Sequence, residues 1–143
     1  MSVGKILAHK GKSVMTAAAT QTLQEASHIL AEHRIGAVVV TGAGESVAGI
    51  LSERDIVKAV ARGGAAALNE TVADHMTKRV VTCVAASSIN QVMEVMTAGK
   101  FRHVPVVQDG RLDGMISIGD VVKHRLAELE HESASLREYI TAS

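Results

Sequence analysis

Two short segments of the chain pair a serine with an aspartate three positions later: Gly49-Ile50-Leu51-Ser52-Glu53-Arg54-Asp55 and Gly114-Met115-Ile116-Ser117-Ile118-Gly119-Asp120. Both read Gly–apolar–apolar–Ser–x–x–Asp, with a β-type run before the serine and helix-spaced apolar residues after it. Such a junction can simply be a capping box, in which the two side chains close their own helix start. It can also hold a ligand. A helix N-terminus presents unpaired N–H groups and a positive dipole end to phosphate. The serine hydroxyl adds a donor, and the carboxylate can accept from both hydroxyls of a ribose. One such segment is an ordinary cap, but two in register with a wider duplication point to a ligand.

The elements that would position these groups also occur twice. Shifted by 66, Val14 falls on Val80, Thr16 on Thr82, Val38 on Val104 and Val40 on Val106, while Leu23, Ala26 and Leu30 fall on Ile89, Val92 and Met96. Beyond a one-residue length change the shift becomes 65, and Gly49, Ser52, Asp55 and Lys58 fall on Gly114, Ser117, Asp120 and Lys123. Two long copies indicate a duplicated half-domain rather than a solenoid. Apolar spacing predicts a helix after Thr22 and after Ser88, whose hydroxyls suit the N-cap. The β-branched runs 37–41 and 104–107 read as buried strands, and Asp109-Gly110 as a hairpin turn. Each repeat is therefore strand–helix–strand–strand–helix, in an α+β fold with pseudo-twofold symmetry and one shared cleft. Residues 3–62 form the first repeat, 63–71 a small-residue linker, 72–126 the second repeat and 127–143 a helical tail.

Composition removes several classes of function. Of 143 residues, 15 are basic and 15 acidic, with one Phe, one Tyr and no Trp, which argues against a nucleic-acid binder. The single Cys83 excludes an internal disulfide framework, fits a reducing compartment and reads as a small buried hydrophobe. No apolar run is long enough to span a bilayer, and the first residues do not resemble a signal peptide, so a cytoplasmic location is expected. Gly42-Ala43-Gly44 begins like a dinucleotide fingerprint, but Val47 takes the third glycine's place. The seven histidines show no metal-site spacing. Without a converging nucleophile, base or metal set, no catalysis is expected. A nucleotide hydrolase and a structural, partner-binding module with vestigial pockets are the rival readings.

The chain resembles the CBS-domain family. The resemblance rests on Thr16 and Thr82, on Phe101-Arg102-His103-Val104-Pro105-Val106-Val107, on the lead-in Asp74-His75-Met76-Thr77 and on the two Gly–x–x–Ser–x–x–Asp elements, and it runs from about Val3 to Leu126. It implies a tandem CBS pair, a stand-alone Bateman module that senses adenine nucleotides. AMP is the first expectation, with ATP, ADP, NAD or S-adenosylmethionine also possible. It further implies homodimerisation, for which Ala/Val-rich helix faces give a route, and a separate regulated protein. One site would use Ser117 and Asp120 with Thr16, Ile35, Gly36 and Ala37. The other would use Ser52 and Asp55 with Thr82, Phe101, Arg102, His103 and Val104. Arg54 could pair with phosphate, and Arg34, Lys100 and Arg102 are further candidates. Copy one has Val39 where copy two has Pro105, so the two sites need not be alike.

Overall fold

Thr22, Ser52 and Ser88 start three helices by one local device. Each side-chain oxygen accepts from the backbone N–H three residues on, at Glu25, Asp55 and Gln91, whose side chains accept in return from the cap N–H. Reciprocal caps of this kind are worth about 1 kcal/mol each. The computed structural model describes residues 2–142. In chain order the elements are α1 (Val3–Lys10), β1 (Thr16–Ala17), α2 (Leu23–His33), β2 (Ala37–Thr41), β3 (Val47–Ser52), α3 (Glu53–Gly63), α4 (Val72–His75), α5 (Ile89–Gly99), β4 (His103–Gln108), β5 (Arg111–Ser117) and α6 (Ile118–Ala142).

The first sheet runs β1-β2-β3, with β1 parallel and β3 antiparallel to β2; the second pairs β4 and β5 antiparallel. Even the irregularities repeat. A register shift falls between Val40 and Thr41 in one hairpin and between Val106 and Val107 in the other. Asp109 and Gly110 both take positive φ, 53° and 76°, as a tight two-residue hairpin turn requires.

The expected first strand of the second repeat is reduced to one parallel bridge, Cys83 to Val106. The cause is Pro105. In the first repeat, Val39 N–H donates to the Met15 carbonyl at 3.4 Å, and Thr16 pairs with Val39. Pro105 stands at the position of Val39 and has no N–H to give. Cys83 keeps its own bonds, donating to the Pro105 carbonyl at 3.0 Å and accepting from Val107 N–H at 2.9 Å. Its thiol is half-buried, and burial pushes its pKa up to about 11, so it stays protonated at neutral pH.

Each repeat has its own core, and each is completed by the helix that precedes the other repeat. Leu23, Leu30, Val38, Val40, Leu51 and Ile56 form one core, closed by Val72 of α4. Ile89, Val92, Met96, Val104, Val106 and Ile116 form the second, closed by Val3, Ile6 and Leu7 of α1. Backbone bonds match across the swap. Val72 N–H donates to Gln21 O at 2.8 Å, and Val3 N–H to Ser87 O at 2.9 Å; Ala73 bonds Ala19 and Gly4 bonds Ala85 in the same way. The linker is a packed 3-10 turn over Gly64–Asn69, with Ala67 buried in the first core.

The exchanged helices explain the glycine in each Gly–x–x–Ser–x–x–Asp element. A Cβ on Gly49 would lie 2.7 Å from Met76 Sδ and 2.9 Å from the Thr77 carbonyl, and one on Gly114 would lie 2.8 Å from Leu7 Cδ2. The Thr77 oxygen belongs to backbone that pairs with Ile50 in both directions, at 2.9 and 3.0 Å, so it cannot yield easily. Gly49→Ala is expected to destabilise the protein by about 1–3 kcal/mol, as overpacking does, read as a lowered denaturation midpoint; an unchanged midpoint would refute the close approach.

Candidate functional site

Both serine–aspartate elbows close their own helix starts. Ser52 N–H and hydroxyl approach Asp55 Oδ2 at 2.9 and 3.1 Å, and Ser117 does the same to Asp120 Oδ2 at 2.8 and 3.0 Å. Each serine oxygen also accepts from its aspartate's N–H, at 3.3 and 3.1 Å. The capping reading thus holds at both elbows, and the serine hydroxyl that could have met phosphate already donates to the carboxylate. What remains at the first elbow is Asp55 Oδ1, which has no partner among the described residues.

The first elbow opens into a cleft of about 390 Å³ between the repeats. Its first-repeat wall is Gly36, Ala37, Ile50, Ser52, Glu53, Arg54, Asp55 and Lys58. Its second wall runs from Thr77 through Arg79, Val80 and Val81 to Lys100, Phe101, Arg102 and His103. Five cations (Arg54, Lys58, Arg79, Lys100 and Arg102) therefore surround two carboxylates. Arg54 reaches across to the Lys100 carbonyl, 3.5 Å from its guanidinium. Val80, Val81 and Ile50 supply an aliphatic lining, and Phe101 a phenyl ring. The pKa of His103 is lowered, chiefly by burial, against the upward pull of Asp120 and Glu53. It sits beside Gly36, where a Cβ would lie 3.4 Å from its ring.

Of the residues expected at this site, Ser52, Arg54, Asp55, Phe101, Arg102 and His103 meet there, and Gly36 and Ala37 join them from the other expected set. Thr82 and Val104 do not. Val104 is fully buried in the second core, because alternation along β4 turns it inward. Thr82 is exposed and unpaired in the sheet because Pro105 removed its partner; Val80 and Val81 take its place on the cleft wall. The cations missing from the sequence reading are Lys58 and Arg79, both exposed and without a motif of their own.

The second elbow is covered. Lys10 Nζ donates to Asp120 Oδ2 at 2.7 Å and to the Met115 carbonyl at 2.8 Å. The reason lies in the exchanged helices. After Met76 the chain is extended and pairs with Ile50, whereas α1 stays helical to Lys10 and carries that ammonium over Asp120. Of the residues expected to complete this second site, Ile35 packs against the first core, Thr16 is exposed on its two-residue strand, and Gly36 and Ala37 line the first cleft instead.

Burial alone would raise the Asp120 pKa, but the Lys10 ammonium and the Ser117 N–H and hydroxyl outweigh it and hold the carboxyl below its ordinary value. A lowered folded-state pKa adds stability above the unfolded value, and that stability is lost as pH falls through the folded value. The latch is therefore expected to hold at neutral pH and to release in acid, below the usual carboxylate range. Lys10→Ala should move the Asp120 carboxyl titration upward, read by carboxyl-carbon NMR; no movement would mean that Lys10 does not hold it.

Comparison with known proteins agrees with this architecture. The CBS domain family model matches twice, at residues 4–62 and 72–127. The crystal structure of a CBS-domain containing protein from Agrobacterium tumefaciens shares 53% identity over 87% of this chain and 99% of its own, with a TM-score of 0.84. A mitochondrial CBS domain-containing protein of Arabidopsis thaliana, CBSX3, is 31% identical over 97% of this chain and 71% of its own. A CBS domain pair solved in complex with 5′-methylthioadenosine and S-adenosyl-L-methionine is 26% identical over 90% of this chain and 98% of its own, with a TM-score of 0.80. No helix among the described residues is long and apolar enough to cross a membrane.

Proposed function

From the premise that this chain belongs to the CBS-domain family as a tandem pair of repeats, we propose that it is a non-catalytic sensor of phosphorylated adenosine. The ligand lodges in the cleft between Asp55 and Arg102. Asp55 accepts from the ribose through Oδ1, the oxygen its cap leaves unused. Ile50, Val80, Val81 and Phe101 hold the base by apolar contact, and its polar edge meets backbone at Gly36 and Ala37. The observation that carries this reading is the set of five cations around the cleft mouth. So many charges exceed the need of one phosphate and favour ADP, ATP or NAD over AMP. They disfavour S-adenosylmethionine, which is itself cationic.

Similarity to a CBS pair solved with 5′-methylthioadenosine and S-adenosyl-L-methionine supports an adenosine moiety in the ligand, while the phosphates rest on the cleft's cations alone. Binding shifts the arrangement of the repeats only as far as the ligand prefers one arrangement over another, and a separate regulated protein reads that shift. The structural alternative, with a vestigial pocket, fits the second elbow, where the Lys10 ammonium lies against Asp120 Oδ2 and puts a fixed positive charge beside the carboxylate.

Isothermal titration with AMP, ADP, ATP, NAD and S-adenosylmethionine tests the reading. One site per chain is expected, tightest for the nucleotides with two or more phosphates. Silence toward all five at millimolar concentration, with the protein folded, would overturn it, and so would turnover of a bound nucleotide.

A further inference from the structure

The side chains of Glu53 and His103, on the cleft wall, have no hydrogen-bond or ion-pair partner among the described residues. They flank Gly36. A Cβ on Gly36 would lie 3.4 Å from His103 Cε1, 3.7 Å from His103 Nε2 and 3.7 Å from Glu53 Oε1. These are ordinary contact distances, and Gly36 does not take a positive φ, so neither strain nor a clash calls for a glycine there. What the missing side chain leaves is open space between a carboxylate and an imidazole.

The two groups differ in what they can bond. An ionised carboxylate only accepts. Burial lowers the His103 pKa, opposed by Asp120 and Glu53 and aided by Lys10 and Arg102, so its imidazole is neutral at physiological pH. A neutral imidazole donates at one nitrogen and accepts at the other, and it can exchange the two. Adenine has a single donor group, its 6-amino group, beside ring nitrogens that accept. With the base at Gly36, that amino group is the part of it that Glu53 can bond, and His103 donates to the neighbouring ring nitrogen. Hypoxanthine, with oxygen at position 6 and hydrogen on N1, sets an acceptor against the carboxylate. His103 adapts to it by exchanging tautomers, so discrimination falls to Glu53.

We propose that Glu53 is the specificity-determining residue of the cleft, accepting from the 6-amino group and so selecting adenine over its 6-oxo counterpart. The inference rests on the placement of phosphorylated adenosine in the cleft and adds what reads its base.

Isothermal titration of the full chain with ATP and with ITP, which differs from it only in the base, tests it. The wild type is expected to prefer ATP by at least about tenfold, the worth of one hydrogen bond to a charged group. Glu53→Gln presents either an oxygen or an NH2 group to the base, so the preference should fall to near parity. Removing a negative charge from the cleft also changes phosphate binding, but equally for both nucleotides, and the ratio is unaffected. The unfolding midpoint shows separately that the variant is folded. Equal affinities in the wild type, a preference for ITP, or a preference for ATP that survives Glu53→Gln would overturn this assignment and leave the cleft reading standing. A wild type that binds neither nucleotide would overturn both.

Discussion

Replacing Leu7 by alanine is expected to destabilise the second half of the molecule, although Leu7 lies in the first helix of the chain. Leu7 is 2% exposed and packs into the core formed by Ile89, Val92, Val104, Val106 and Ile116. Truncating a leucine in such a place costs about 2–5 kcal/mol, through lost burial and the cavity left behind. That is a large part of the roughly 5–15 kcal/mol that holds a domain folded. Leu7 also fills the space over Gly114 that a side chain there would occupy, so Gly114 has no side chain to fill the cavity. Hydrogen exchange should locate the loss. Amides of β4 and β5 should lose protection, while those of β2 and β3, whose core is closed by Val72, should keep most of theirs. An equal loss in both hairpins, or a cost below about 1 kcal/mol, would contradict the exchange of α1 and α4 between repeats.

The second large effect is on binding. Arg79→Glu with Arg102→Glu is expected to weaken ATP by at least about a hundredfold, since a charge-assisted contact is worth roughly 1.5–3 kcal/mol and each reversal adds repulsion. Both arginines are exposed and make no ion pair among the described residues, so the change should leave the unfolding midpoint in place. Adenosine, which has no phosphate, should bind the variant and the wild type alike. Added salt should weaken ATP binding to the wild type more than to the variant. Equal losses for adenosine and ATP would mean that these side chains shape the cleft rather than read charge.

Local chemistry was readable in the sequence because it acts over three or four residues. The caps at Thr22, Ser52 and Ser88, the Asp109-Gly110 turn and the strand–helix order of the first repeat all follow from residue types at short spacing. The duplication carried the rest of the fold, down to matching sheet irregularities. Its failure at Thr82 is a matter of one atom: the N–H that Pro105 lacks. The substitution of Pro105 for Val39 was visible, but its effect depends on which backbone group the partner strand needs.

The site was half readable for the same kind of reason. Asp55, Arg54 and Arg102 lie in or beside motifs, and all three line the cleft. Val104 belongs to such a motif too, yet strand alternation turns it into the core. Lys58 and Arg79 carry no local signature, and their place on the cleft wall comes only from how the repeats stack. The Lys10–Asp120 contact joins residues 110 apart. It exists because α1 crosses to the other repeat and continues past the point where α4 stops. Tertiary exchange, rather than any motif, makes two nearly identical elbows unequal.

The inequality of the elbows gives the most direct measurement. Backbone amide NMR during titration with ATP should show saturable shifts at Gly36, Asp55, Val80 and Arg102, with Lys10, Ser117 and Asp120 nearly still at the first equivalent. Shifts centred on Asp120 and Lys10, with Ser52 to Asp55 silent, would put the nucleotide at the other elbow and contradict the account.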